Sequence, residues 1–415
     1  MTTTPHSELP DSASRAAAAR QSRLSLVLET FLVFLRLGCT SFGGPAAHIG
    51  YFHNEFVQRR RWVGDAAYAD IVALCQFLPG PASSQVCLVL GYIRSGLFGG
   101  ILGWVAFTAP SAALMIGFAY SIHLLNVQTA GWLLGLKVAA VAVVAQAIWT
   151  MATRLCPDRS RVSLMVVCAA VIVLFRAPWL QPVMIASGAL FGLAFLRTKS
   201  HTTKGGEIVS KNLIMSRRLA ATSLALFAAM LALSLVWQGG GQLENTFARF
   251  YRTGSLVFGG GHVVLPLLQA ETVSSGLVSH DVFLAGYGAA QALPGPLFTF
   301  AAFLGASMPS AYPPWLLGLW CLAAILLPSL LLILGTLPFW ARLTGNPLAQ
   351  AALKGANAAV VGLLLAAFYD PVWKTGITST QSCAIGLVAF ALLQFWKTPN
   401  WAVVIACAAA GAWLL

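Results

Sequence analysis

Apolar runs of 15–27 residues recur along almost the whole chain, and some, such as 219–237 and 313–337, carry no charged residue at all. A helix needs about 20 apolar residues to cross the hydrocarbon layer of a bilayer. Within lipid every backbone N–H and C=O must be paired inside the segment or around a closed barrel. Barrel strands would show a ten-residue alternation of apolar and polar positions, which these runs lack. The expected fold is therefore all-α and polytopic. Composition agrees: 58% of the 415 residues are hydrophobic and only 9% charged, against about 25% charged in a soluble domain. That leaves too little polar surface to cover a water-soluble globule.

About thirteen transmembrane helices are expected, near 24–43, 66–92, 97–122, 129–152, 162–178, 181–197, 218–237, 243–262, 281–306, 313–337, 348–369, 376–394 and 400–415. The polar tail 1–23 shows no cleavable signal pattern. Residues 198–217, rich in Lys, Gly, Ser and Thr, read as a flexible linker between a first half, 24–197, and a second, 218–415. The net charge of +13 follows from topology and not from nucleic-acid binding. Of the 25 Lys and Arg, fifteen fall in loops on the side of the N-terminus, five on the other and five within spans. This asymmetry puts the N-terminus in the cytoplasm and the C-terminus outside. The triplet Arg59–Arg61 is the exception on the outer side. It is expected to anchor at that interface beside Trp62; the alternative is that 45–60 re-enters the membrane. The eight cysteines form no CxxC pair and read as buried hydrophobes; no metal site or cofactor is expected.

The chain repeats itself. Phe34, Arg36, Gly38, Phe42, Gly43, Gly44, Glu55 and Asp65 recur as Phe250, Arg252, Gly254, Phe258, Gly259, Gly260, Glu271 and Asp281, at a constant offset of 216. Gln76-Phe-Leu-Pro-Gly-Pro81 returns as Gln291-Ala-Leu-Pro-Gly-Pro296 at an offset of 215, and Pro110-Ser111 and Leu136-Lys137 return as Pro328-Ser329 and Leu353-Lys354. With an odd number of spans between the two starts, the halves are expected to be inverted, the common architecture of secondary transporters.

Pro79, Gly80 and Pro81, like Pro294, Gly295 and Pro296, interrupt runs of about 26 residues near their middle. Proline removes a backbone donor and glycine relaxes the chain, so a broken helix is expected there. A break at membrane depth must be buried or line a cavity, and it exposes a helix N-terminus that attracts anions. Phe42-Gly43-Gly44 and Phe258-Gly259-Gly260 read equally as site loops or as close helix packing. Arg36, Arg252, Lys137 and Lys354 are paired cations within spans, where a charge costs roughly 2.5–3.5 kcal/mol; snorkelling is their bland alternative. Glu29 is the one clear carboxylate at membrane depth, so these cations are expected to lack internal counter-ions and to suit an anionic substrate. Gln76 and Gln291 could donate amide hydrogen bonds to an oxyanion or to freed carbonyls. His48, Glu55, Asp70, His262 and Glu271 are candidates for proton coupling.

The doubled Phe-Gly-Gly stretches, Ser41–Pro45 and Val257–Gly261, and the doubled Gln-x-Leu-Pro-Gly-Pro stretches resemble the chromate ion transporter superfamily in its long, two-domain form. The resemblance covers roughly 24–152 and 243–370. It implies a bacterial inner-membrane carrier that expels chromate and confers resistance, driven by proton exchange or by the membrane potential. Sulfate, of similar shape and charge, would be a competitor. The partners implied are the oxyanion and the lipid bilayer, with a homo-oligomer left open. A sulfate importer, an anion channel and a membrane-embedded reductase are the competing readings; the last lacks any nucleotide or flavin fingerprint.

Overall fold

Proline and glycine decide where the long apolar runs turn back. A computed structural model describes residues 12–125, 131–175, 180–196, 216–236, 239–258, 261–340 and 346–415. Gly259, Gly260, Arg176, Arg342 and nearly all of the 198–217 linker lie outside the described residues, as do the first eleven residues of the N-terminal tail. Among the described residues every regular element is a helix. Five helical stretches are long and apolar enough to cross a membrane: Ala82–Ile122, Gly131–Leu155, Arg217–Val236, Pro314–Phe339 and Pro347–Gly376.

The first half opens with α1 (Ser12–Thr40), which turns at Gly43 and Gly44 into α2 (Gly44–Phe52). A π turn, His53–Arg59, extends α2 back along α1. Arg36 pairs with Glu55 at 2.7 Å and Arg60 with Glu29 at 2.8 Å, the antiparallel register of a helical hairpin. Phe34 fixes the pairing through ring contacts with Phe52, Phe56 and Trp62. Next come α3 (Asp65–Phe77), the Leu-Pro-Gly-Pro break, and α4 (Ala82–Leu125), itself kinked at Ser95 and Gly96. The Arg94 guanidinium lies 5.2 Å over the Trp62 ring and reaches Glu29 at 2.8 Å. The chain that leaves Trp62 has therefore returned to it by Arg94.

The run expected to span as 66–92 is thus a second hairpin, folded at Pro79–Pro81. The reason is physical: hydropathy cannot distinguish 26 residues running straight from two limbs of 13 folded at a break. The same geometry corrects the reading of Arg59–Arg61. Arg59 and Arg60 bind Glu55 and Glu29 at the base of the hairpins, level with Arg94; the segment before them folds back, and the outer anchor is not what the structure shows.

The second half repeats the plan. Hairpin α9 (Gln242–Leu256) and α10 (Val264–Thr272) is tied at its base by Arg252 and Glu271. Hairpin α11 (His280–Ala292) and α12 (Phe300–Ser307) folds at Pro294–Pro296, and Gln242 Nε2 donates to the Pro309 carbonyl at 2.7 Å to close the base. So 281–306 is also a hairpin and not one span. The kinked α4 continues past the tips until Phe118 stacks on Phe303 at 5.6 Å. In the other half α13 (Pro314–Thr336) does the reverse, starting beside α12 and ending where Trp340 meets Phe77.

Six helices surround these hairpins: α5 (Gly131–Leu155), α6 (Arg159–Leu174), α7 (Leu180–Phe195), α14 (Pro347–Ala367), α15 (Thr380–Gln394) and α16 (Asn400–Leu414). They exchange partners between halves. Helix α5 packs on α15 and α16, and α14 on α6 and α7. α8 (Arg217–Val236) lies outside, against α13 and α9. The exchange depends on small residues, the usual means of close approach between helices in lipid. Gly192 sits on the Ala351 carbonyl and Gly135 on the Cys407 carbonyl, with no room for a Cβ. Gly192→Leu should force α7 off α14, a mismatch worth about 1–3 kcal/mol. A drop of several degrees in the thermal midpoint of the detergent-purified protein is the expected result.

Candidate functional site at the hairpin tips

The four hairpin tips meet, and they meet across the halves. The Gly80 N–H donates to the Val257 carbonyl at 2.7 Å, and the Gly295 N–H donates to the Ser41 carbonyl at 2.9 Å. Ser41 and Val257 are the residues immediately before the two Phe-Gly-Gly stretches. Each Pro-Gly-Pro break is thus bonded to the residue that precedes the other half's Phe-Gly-Gly stretch. Both glycines hold left-handed backbone, φ +114° at Gly80 and +96° at Gly295, a conformation other L residues adopt only at a cost. Gly80 faces the Ser329 hydroxyl and Gly295 the Ser111 hydroxyl, so the Pro-Ser repeats on α4 and α13 complete the two tips.

Around these contacts lies buried polar chemistry that protein partners leave unsatisfied. Ser83, Ser84 and Gln85, in the first turn of α4 behind Pro81, are each 1% exposed. Gln85 Nε2 donates to the Pro79 carbonyl at 2.8 Å, but its Oε1 has no partner. The hydroxyls of Ser41, Ser84 and Ser329 and the amide nitrogen of Gln291 are likewise buried without a partner. Most buried polar groups are hydrogen-bonded, so such a collection marks a place for a polar ligand. Three hydroxyls, one amide N–H₂ and the first-turn N–H groups of α4 are donors, the chemistry that receives an oxyanion. Sequence reasoning named Gln291 but missed Ser41, Ser84, Gln85 and Ser329 as site residues. Ser329 stood within a recognised repeat identity, and Ser41 within the quoted motif.

The other expected site residues divide by position. Gly43 and Gly44 form the first turn at φ +100° and +74°, and Phe42 lies against Trp401 at 6.0 Å. Phe258 is half-buried beside Val257. His48 is buried, and its Nε2 donates to the Ser41 carbonyl at 3.1 Å, which ties it to the first-half tip, while His262 lies in the Gly261–Val263 turn of the second-half tip. His262 is hydrogen-bonded to the Tyr287 hydroxyl at 2.8 Å. Asp70 is buried on α3, one carboxylate oxygen without a partner. Gln76 is exposed.

The expectation of cations without counter-ions fails. Glu55 binds Arg36, Arg59 and Arg60. Arg252 grips Glu271 with two bonds of 2.7 Å, and Lys137 holds Asp281 at 2.6 Å. Lys354 is half-buried on α14. The carboxylates were hidden because 55 and 271 lie in segments that fold back to the depth of Arg36 and Arg252, which no linear reading places. Arg36 lies five residues before Ser41, about 7.5 Å of helical rise, so it stands below the tip and not at it.

A family model described as chromate transporter matches residues 28–193 and 245–412, both halves of the chain. The chain is 28% identical over 403 residues to a chromate transport protein of Pseudomonas aeruginosa, covering 93% of this chain and 92% of the relative. It is 27% identical over 421 residues to one from Cupriavidus metallidurans, covering 97% of each. A probable chromate transport protein of Synechococcus elongatus is 29% identical over 394 residues, with 91% and 93% covered. No solved structure gives a significant match. With both repeats matched and the apolar helices in place, this membrane protein belongs to the chromate transporter family.

Proposed function

We propose that the protein carries chromate out of the cytoplasm across the bacterial inner membrane, and that the dianion passes between the crossed hairpin tips. The observation that carries this reading is the meeting of the two breaks with buried, unpartnered hydroxyl and amide donors. Neutral donors suit a tetrahedral dianion in transit: hydrogen bonds to a charged acceptor contribute about 1.5–3 kcal/mol each, without the tight trap of a bare guanidinium. The substrate is taken from the relatives, which are chromate transport proteins.

Two inverted halves fit the contacts. The first-half hairpins share a base at Glu29, Arg60 and Arg94, the second-half hairpins a base at Gln242 and Pro309, and α4 and α13 run between the two levels in opposite directions. Placing Arg59–Arg61 with Arg94 on the cytoplasmic side sharpens the positive-inside bias and puts the C-terminus outside. Outward movement of a −2 charge across an inside-negative membrane is favoured by about 4.6 kcal/mol per 100 mV, so export needs no further coupling; His48 and His262, each at a tip, are the residues that would link protons to it.

Uptake of radiolabelled chromate into everted vesicles tests the proposal. Saturable uptake that excess sulfate blocks only weakly is expected. Uptake by intact cells, blocked by sulfate, would instead mean an importer of sulfate-like oxyanions. Ser329→Ala and Gln291→Ala should each raise the apparent KM about 10-fold or more, the loss of one hydrogen bond to a charged acceptor.

A further inference from the structure

The halves repeat in sequence but not in packing. Helix α11 lies against α5 and α16, with Gly288 on the Leu136 backbone and Asp281 held by Lys137 at 2.6 Å. Its repeat partner α3 rests on α4 and on the turn before it, and has no comparable packing on α14. Asp65, the partner of Asp281, is 82% exposed and accepts from His53 instead of from a lysine. Ala66, Ala69 and Ala73 are exposed, whereas Val282, Ala285 and Ala289, 216 positions on, are buried. Cys39 is exposed and its partner Ser255 is 2% exposed. Arg36 is 47% exposed and Arg252 22%. α14, meanwhile, packs on α10 of its own half. These differences share one sign, with Glu55, 6% exposed against 15% for Glu271, as the exception: the helices around the core have closed on α11 and left α3 uncovered.

Two copies of one sequence have similar packing choices, so a contact made by one copy is open to the other at a modest difference in free energy. Resting on the two-half carrier reading above, we infer that Asp65 and Lys354 are the positioning pair of the opposite access state, replacing Lys137–Asp281 when the carrier turns over. In that state α14 covers α3, Lys354 meets Asp65, Cys39 is buried, and α5 leaves α11. Forming the Lys354–Asp65 pair gives up the present Asp65–His53 contact, as the Lys137–Asp281 pair is given up at α11. Val72 occupies the position of Gly288 and keeps the mirrored contact wider, which favours the state described here.

The test reads conformation without any substrate, so it stands whether or not chromate is what the protein carries. Detergent-purified protein carrying Cys383→Ser is alkylated with a water-soluble maleimide, and the rate at Cys39 is followed by mass spectrometry. Asp281→Asn should slow labelling several-fold, because it releases the closed pair. Asp65→Asn should leave the rate at or above that of the parent, because it removes the competing pair. The exchanged double variant, Lys137→Asp with Asp281→Lys, should restore the parental rate, which a merely misfolded protein would not do. In a Cys39→Ser, Cys383→Ser background, Asp65→Cys with Lys354→Cys should form a disulfide on mild oxidation. Equal effects of the two asparagine variants on Cys39, or no 65–354 disulfide, would overturn the inference.

Discussion

Gly80→Ala is expected to abolish transport while some protein still reaches the membrane. The φ of +114° costs an L residue roughly 1–2 kcal/mol, and the added Cβ would run into the Ser329 hydroxyl. The backbone must move, and its N–H is the one that bonds the Val257 carbonyl, so the displacement lands on the crossing of the two halves. Pairing it with Ser329→Gly should relieve the clash but not the backbone strain, recovering protein level more than transport. Gly295→Ala should be milder, since its Cβ would meet the Ser111 hydroxyl at 2.7 Å. Vesicle uptake normalised to protein by immunoblot separates the two losses. Wild-type uptake by Gly80→Ala would show that the tip geometry is dispensable.

The second large effect is expected at Glu271. Its carboxylate takes both guanidinium bonds of Arg252 and lies 3.9 Å from Arg249, with side-chain exposures of 15% for the glutamate and 22% for Arg252. Glu271→Gln leaves a half-buried cation uncompensated, and breaking such a pair costs about 3–5 kcal/mol. Loss of the protein from the membrane fraction is the expected result. Replacing both partners, Arg252→Met with Glu271→Leu, should restore accumulation, because a matched apolar pair leaves no lone charge. If the double variant accumulates but does not transport, the pair has a role beyond stability. Glu55→Gln should cost less: Arg36 and Arg59 are 47% and 63% exposed, and water screens them.

Several features were legible without coordinates because they are properties of short stretches. The apolar runs require a bilayer, whatever their arrangement, since no soluble surface can be made from them. Pro79-Gly80-Pro81 and Pro294-Gly295-Pro296 had to break their helices, because proline lacks the donor that helix continuation needs. The near-constant offset between halves declared the duplication. Each of these follows from local covalent chemistry or from counting along the chain.

What followed a break was another matter. Whether α3 continues into α4 as a kinked span or returns beside itself depends on what receives Arg94, and that is Glu29 and Trp62, contributed by other segments. Glu55 and Glu271 became counter-ions only once their segments folded back, which removed the unpaired-cation argument for an anion and moved it to the tips. The pairing of each Pro-Gly-Pro with the opposite Phe-Gly-Gly, and the closure of α5 on α11 without the mirrored closure of α14 on α3, join residues far apart in the chain. From sequence alone came the bilayer, the duplication and the breaks, because these depend on composition and backbone chemistry. The tertiary structure decided the hairpins, the ion pairs and the one-sided closure, because each depends on which distant segment supplies the missing partner.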